Sequence, residues 1–199
     1  MAKLRLAPAL APEKRELLAR AMAAAVLRAA RPLPVAVVCD NVAVAEWATE
    51  HGARVVWAPG RGLDGAVSDG VKELGGAGAE RVIVAHADLP LATDLGWVAR
   101  FGGVTLVPDH RDDGTNVACV PATAGFPFAY GPGSFHRHGA AALRLGLALR
   151  VVREPRLGRD VDLPSDLPWA GVAVEGPPRR RATDSGPGQL TGTAAVLLG

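Results

Sequence analysis

Three aspartates stand close together in RDVDLPSDL (Arg159 to Leu167): Asp160, Asp162 and Asp166. Asp160 and Asp162, two apart in an extended segment, project from the same face of the backbone and can reach one point together. Asp88 directly follows RVIVAHA (Arg81 to Ala87), the strongest buried-strand pattern in the chain. Ligands of parallel α/β sheets collect at the carboxyl ends of strands, and Asp88 sits at such an end. Asp88, Asp160 and Asp162, with no His or Cys at ligand spacing, make an all-oxygen donor set. That set suits Mg²⁺ far better than zinc, and Mg²⁺ implies a phosphate ligand. The same residues have a plainer reading, in which Asp160 and Asp166 cap the short helix after Pro164, Asp162 faces water and Asp88 is an N-cap.

Two glycine-rich turns add possible ligand groups. GRGLDG (Gly60 to Gly65) formally matches GxGxxG between a strand and a helix, but the motif is short and the chain carries 24 glycines, so a dinucleotide fingerprint is a weak reading. The loop around Gly62 serves better as a nucleobase contact, with Asp64 accepting two hydrogen bonds from guanine N1 and N2; helix capping is its structural alternative. GPGSFHRH (Gly131 to His138) places Ser134 and permissive glycines before a helix, where free amides beside His136 and Arg137 can hold a phosphate or carboxylate. An ordinary turn with an N-cap fits equally well. The chain has no GxxxxGK[ST] and no GxSxG, which argues against P-loop and serine-nucleophile chemistry.

The elements that must position these groups alternate. Pro12 to about Ala30 reads as an amphipathic helix. PVAVVC (Pro34 to Cys39) reads as a buried strand, followed by a helix ending at Gly52 and a strand, ARVVWA. A helix over Leu63 to Leu74 precedes RVIVAHA, and a short one near Thr93 to Arg100 follows it. VTLVP (Val104 to Pro108) and TNVACV (Thr115 to Val120), joined by a tight polar turn, suggest a hairpin and hence one antiparallel strand. A helix from Ala140 to Gly146 and the strand LALRVV complete a three-layer α/β sandwich with a mostly parallel, mixed sheet. The domain spans residues 1–170. Residues 171–199, rich in Pro, Gly, Ser and Arg, read as a disordered tail.

Bulk properties exclude several classes. The 199 residues fit one domain, and a net charge of +2, with basic clustering only at Arg179, Arg180 and Arg181, does not call for nucleic acid. Cys39 and Cys119 lie in apolar runs without CxxC spacing, and no signal sequence precedes them, which suggests a reduced, cytoplasmic protein. No segment approaches the roughly 18 consecutive apolar residues of a membrane helix. Oligomeric state has no signature in the chain.

Together, AKLRLAPAL (Ala2 to Leu10), HADLPL (His86 to Leu91), PDHRDDGTN (Pro108 to Asn116), GPGSFHRH and DVDLPSDL resemble the 2-phospho-L-lactate guanylyltransferase family, which includes the phosphoenolpyruvate guanylyltransferases of coenzyme F-420 biosynthesis. The motifs follow in the family's order over residues 1 to 170. The resemblance implies a nucleotide-diphospho-sugar-transferase-like fold. It also implies a Mg²⁺-dependent reaction in which the phosphate of phosphoenolpyruvate or 2-phospho-L-lactate attacks the α-phosphorus of GTP and diphosphate leaves. By resemblance, Asp88, Asp160 and Asp162 match the metal-binding aspartates, and Thr115, Gly131 and Ser134 the positions that hold the three-carbon acid. Lys3 and Arg5 match the basic pair of AKxRL, facing the triphosphate. A phosphate monoester is already a nucleophile, so such an enzyme must mainly align two anions and neutralise charge. The Ala-, Arg- and Gly-rich composition suggests a high-GC bacterial source and tilts the acid toward phosphoenolpyruvate.

Two departures stand out. The family carries a central β-strand and a phosphate-facing loop before AKxRL, whereas Met1 immediately precedes it here, so either the true start lies upstream of Met1 or the first strand is missing, which would leave a gap between PVAVVC and RVIVAHA. The apolar run TAAVLLG, after a flexible linker, is one segment able to fill that gap, in cis or in trans. Asp64 stands where the family usually has Asn. The competing readings are another nucleotidyltransferase of the same fold, which would lack the paired DHRDDGTN and GPGSFHRH motifs, and a non-catalytic nucleotide-binding homologue.

Overall fold

The structure, a computed structural model, describes residues 3–170 and 193–198. Among the described residues, seven strands form one sheet: β1 (Val35–Cys39), β2 (Arg54–Trp57), β3 (Arg81–His86), β4 (Val104–Pro108), β5 (Thr115–Pro121), β6 (Leu149–Val151) and β7 (Thr193–Leu198), in the order β2-β1-β7-β3-β5-β4-β6. β5 alone runs antiparallel, paired with β3 on one side and β4 on the other, as the polar turn between VTLVP and TNVACV led us to expect.

Alternate residues of the central strands feed two cores, which is why these strands read as continuous apolar runs. Val37, Ile83, Ala85 and Cys119 pack under α1 (Pro12–Ala30), α2 (Val42–Glu50) and the 3-10 turn Gly96–Arg100. Val38, Val82, Val84 and Val120 pack on the other face against α3 (Gly62–Gly76) and α4 (Ser134–Arg144). Helices on both faces make the three-layer sandwich. A small third cluster of Leu6, Met22 and Val161 pins the start of the chain and the acidic segment against α1.

Four expectations are corrected. The segment near Thr93 to Arg100 is a 3-10 turn from Gly96, not a longer helix. α4 begins at Ser134 rather than Ala140, because Asp113 meets its first amides from outside: Gly133 N donates to Asp113 Oδ1 (3.0 Å) and Phe135 N to Asp113 O (3.0 Å). The expected gap between β1 and β3 is closed by β7, and of the expected tail, residues 193–198 belong to the sheet. β7 pairs in parallel with β1 (Val37 with Leu197) and β3 (Ala85 with Leu197), and Ala195 is fully buried. Filling the slot satisfies backbone groups that would otherwise be orphaned on two facing strands. The remainder of the expected tail, residues 171–192, lies outside the described residues.

Candidate active site

The carboxyl ends of the parallel strands share one edge, and β5, running the other way, begins there. β3 therefore delivers Asp88, while β5 delivers Thr115 and Asn116 to the same edge. The chain after β6 returns as an extended segment whose Val161 is fully buried and donates its N–H to Asp88 O (3.2 Å). Burying Val161 turns Asp160 and Asp162 to the opposite side, as their spacing requires.

Asp88 and Asp162 meet at one ammonium. Lys3 Nζ is ion-paired with Asp88 and bonds Asp162 Oδ1 at 2.8 Å, and Arg5 stands 3.8 Å from Asp162 Oδ2. Lys3 reaches this point from a left-handed backbone (φ 51) at the head of the 3-10 turn Leu4–Leu6. Burial pulls its pKa down, but Asp88 and Asp162 more than offset this, so the pKa is raised and the side chain stays charged. For Asp162, burial pushes the carboxyl up, and the opposing bond from Lys3 leaves it below the usual range. Asp160 is pushed up by burial and by the nearby Asp88 charge, against a hydrogen bond from Asn116 Nδ2 (3.3 Å). Asp88 Oδ1 is buried and has no hydrogen-bond partner among the described residues. The three carboxylates thus share one electrostatic neighbourhood, although among the described residues no three His, Cys, Asp or Glu side chains stand as a ready metal-holding group.

The capping alternative holds for Asp166 alone. Its Oδ2 accepts from Asp162 N (3.1 Å) and Leu163 N (2.8 Å), heading the 3-10 turn Pro164–Trp169 and fixing the backbone that carries Asp162. Asp160 caps nothing; it faces Asn116.

The acid-holding positions also converge. Thr115 and Ser134 are buried, and Thr115 N donates to Ser134 Oγ (3.0 Å). Gly131 (φ 96) and Gly133 (φ 72) adopt left-handed turns that favour glycine. The amides at the head of α4 are not free, contrary to expectation: those of Gly133 and Phe135 meet Asp113, and Ser134 N meets Gly131 O. Arg137 is likewise committed, its guanidinium donating to the carbonyls of Ala129, Tyr130, Gly131 and Pro132.

Gly62 (φ 62) is the first residue of α3, and Asp64 lies in that helix's first turn. Asp64 is not the helix cap; its Oδ1 accepts from Tyr130 N (2.7 Å), joining the first turn of α3 to the segment before Gly131. A guanine would have to share this carboxylate with the backbone.

Asn116, Asp113 and His138 also take part in this region without a sequence motif that marks their roles. An Asn inside an otherwise apolar strand was the available signal for Asn116, whose Nδ2 also donates to Leu157 O (2.9 Å) and so anchors the turn before Asp160.

The chain is similar to known proteins over most of its length. Residues 1–175 match the family model described as guanylyl transferase CofC like. The chain is 36% identical over 173 residues to a phosphoenolpyruvate guanylyltransferase of Roseiflexus castenholzii, covering 84% of this chain and 81% of the relative. It is 37% identical over 175 residues to one of Sphaerobacter thermophilus, covering 83% and 84%. A 2-phospho-L-lactate guanylyltransferase of Halorubrum lacusprofundi is 41% identical over 99 residues, covering 47% and 45%. With three carboxylates gathered at the strand ends and a match of this extent, the chain belongs to the CofC-like guanylyl transferase family.

Proposed function

We propose that this cleft transfers the guanylyl group of GTP to phosphoenolpyruvate with release of diphosphate, as in coenzyme F-420 biosynthesis, 2-phospho-L-lactate being the alternative acceptor. The observation that carries it is the meeting of Asp88 and Asp162 at Lys3, with Asp160 beside them, at the sheet edge where such folds bind ligands. The relatives matched over most of the chain are named for phosphoenolpyruvate, which favours that acid.

Asp88, Asp160 and Asp162 fit Mg²⁺ in donor chemistry. All donors are carboxylate oxygens, one is buried without a partner, and a cation already sits between two of them. Bound there, Mg²⁺ supplies neutralisation of the nucleotide phosphates. Lys3 and Arg5 bring further positive charge to the same point and orient the triphosphate. Thr115, Gly131 and Ser134 hold the acid at the head of α4, and the Gly62 loop with Asp64 receives the base. The acid's own phosphate oxygen is the nucleophile, so no side chain here need remove a proton.

Incubation of the purified protein with GTP, Mg²⁺ and phosphoenolpyruvate should release diphosphate, and 2-phospho-L-lactate should serve less well. Asp88→Asn or Asp162→Asn should lower turnover at least about a hundredfold, since each removes charge from the group facing the transferred phosphate. GTP binding without diphosphate release under all these conditions would instead identify a non-catalytic homologue.

A further inference from the structure

His138 is fully buried in α4, ringed by Phe126, Phe128 and Tyr130. Its two ring nitrogens have different partners. The backbone N–H of Ala129 can only donate, and it lies 2.9 Å from Nε2, so Nε2 must present its lone pair. A neutral imidazole then carries its proton on Nδ1, which stands 3.0 Å from Thr115 Oγ1. Burial keeps the ring neutral, pushing its pKa down to about 4 despite the opposing pull of Asp64. The reverse tautomer would set two N–H groups against each other at Nε2.

We infer that His138 is a positioning residue for the three-carbon acid: by donating from Nδ1 it fills an acceptor site on Thr115 Oγ1 and leaves the Thr115 hydroxyl to act as a donor to the ligand's oxyanion. Ser134 is set in the same sense from the other side. Its Oγ accepts from Thr115 N–H (3.0 Å), so its own proton is also available to give. Each of these neighbouring hydroxyls has one acceptor position filled by a protein N–H and keeps its proton to give, and a pair of such donors suits a carboxylate or phosphate. This inference rests on the assignment of Thr115 and Ser134 to the acid.

The tautomer is measured directly by ¹⁵N NMR of the histidine-labelled protein, which should show His138 protonated at Nδ1; protonation at Nε2 overturns the inference. This readout does not depend on turnover, so it tests the donation from His138 to Thr115 separately from the guanylyltransferase reading, whose own failure would show as absent diphosphate release. Kinetics separate positioning from plain packing. In His138→Gln the amide reaches toward the Nε2 position and the donor to Thr115 is lost. In His138→Asn it reaches toward Nδ1 and the donor is kept. His138→Gln should raise KM for phosphoenolpyruvate about tenfold, as expected for one lost hydrogen bond to an anion site, while KM for GTP stays within about twofold. His138→Asn should keep a near-native KM for the acid despite leaving Ala129 N unpaired. Thr115→Val should match His138→Gln, and the double variant should be no worse than Thr115→Val alone. Equal losses in both His138 variants, or a parallel rise in both KM values, would show that the ring only packs.

Discussion

At the scale of single residues, Lys3 is the cation that joins two of the clustered carboxylates. Its ammonium keeps Asp88 and Asp162 together, and Asp160 feels Asp88 closely enough for its carboxyl to be pushed up. Lys3→Met should therefore leave carboxylates facing one another, lowering the melting temperature in metal-free buffer. Mg²⁺ should then raise the melting temperature more in the variant than in the native protein, because no ammonium competes for the carboxylates. An equal Mg²⁺ response in both proteins would sink the proposed metal site.

His138 carries a second residue-scale expectation. The unfolded chain titrates this group near 6.5, and burial pushes the folded value down to about 4, with Asp64 opposing the shift and Arg137 and His86 adding to it. Between these values the unfolded state binds more protons. The contribution is thus fully present above pH 6.5 and is lost as pH falls toward 4, by up to roughly 3 kcal/mol. Asp160, whose folded pKa is raised, works in the opposite sense below neutrality. Urea unfolding at pH 7 and pH 4.5 should show a larger loss in the native protein than in His138→Gln, and equal losses would contradict the assignment. That Asp88, Asp160 and Asp162 come near one another was legible in the sequence, because strand-end position and period-two spacing are local properties. His138 and Asn116 were not, since what defines them is a partner more than twenty residues away.

At the scale of elements, two motifs clasp each other. The turn between β4 and β5 is built by Asp109, whose Oδ1 accepts from Arg111 N and Asp113 N, and by Asp112 in a left-handed conformation (φ 57) paired with Arg153. That turn presents Asp113 to the head of α4, while Thr115 N and Oγ1 engage Ser134 and His138 one turn further on. Asp113→Ala removes the external cap and should cost about 1 kcal/mol. It should also weaken the acid more than GTP, because Gly131 and Ser134 lose their support. An unchanged KM for phosphoenolpyruvate would uncouple the turn from the site. The strands were legible as apolar runs, whereas the true start of α4 was hidden because its cap lies twenty residues upstream rather than in the adjacent sequence.

At the scale of the whole molecule, β7 is the least expected element. Its six residues follow a Pro- and Gly-rich stretch, and the match of TAAVLL to the slot between β1 and β3 gives it a place. Deleting residues 193–199 should expose facing edges on β1 and β3. Cooperative thermal unfolding should be lost, with dye-binding apolar surface exposed. A truncated protein that still melts cooperatively at the native temperature would remove β7 from the fold's requirements.

The parallel register of β7 sets Leu198 beside His86, two residues before Asp88, while Lys3 reaches the same carboxylates from the other end of the described chain. A bulky label attached near residue 3 or residue 198 therefore arrives next to these carboxylates. A handle inserted at Gly78 in the α3–β3 connection, which runs at the amino end of β3, would leave the cleft unencumbered.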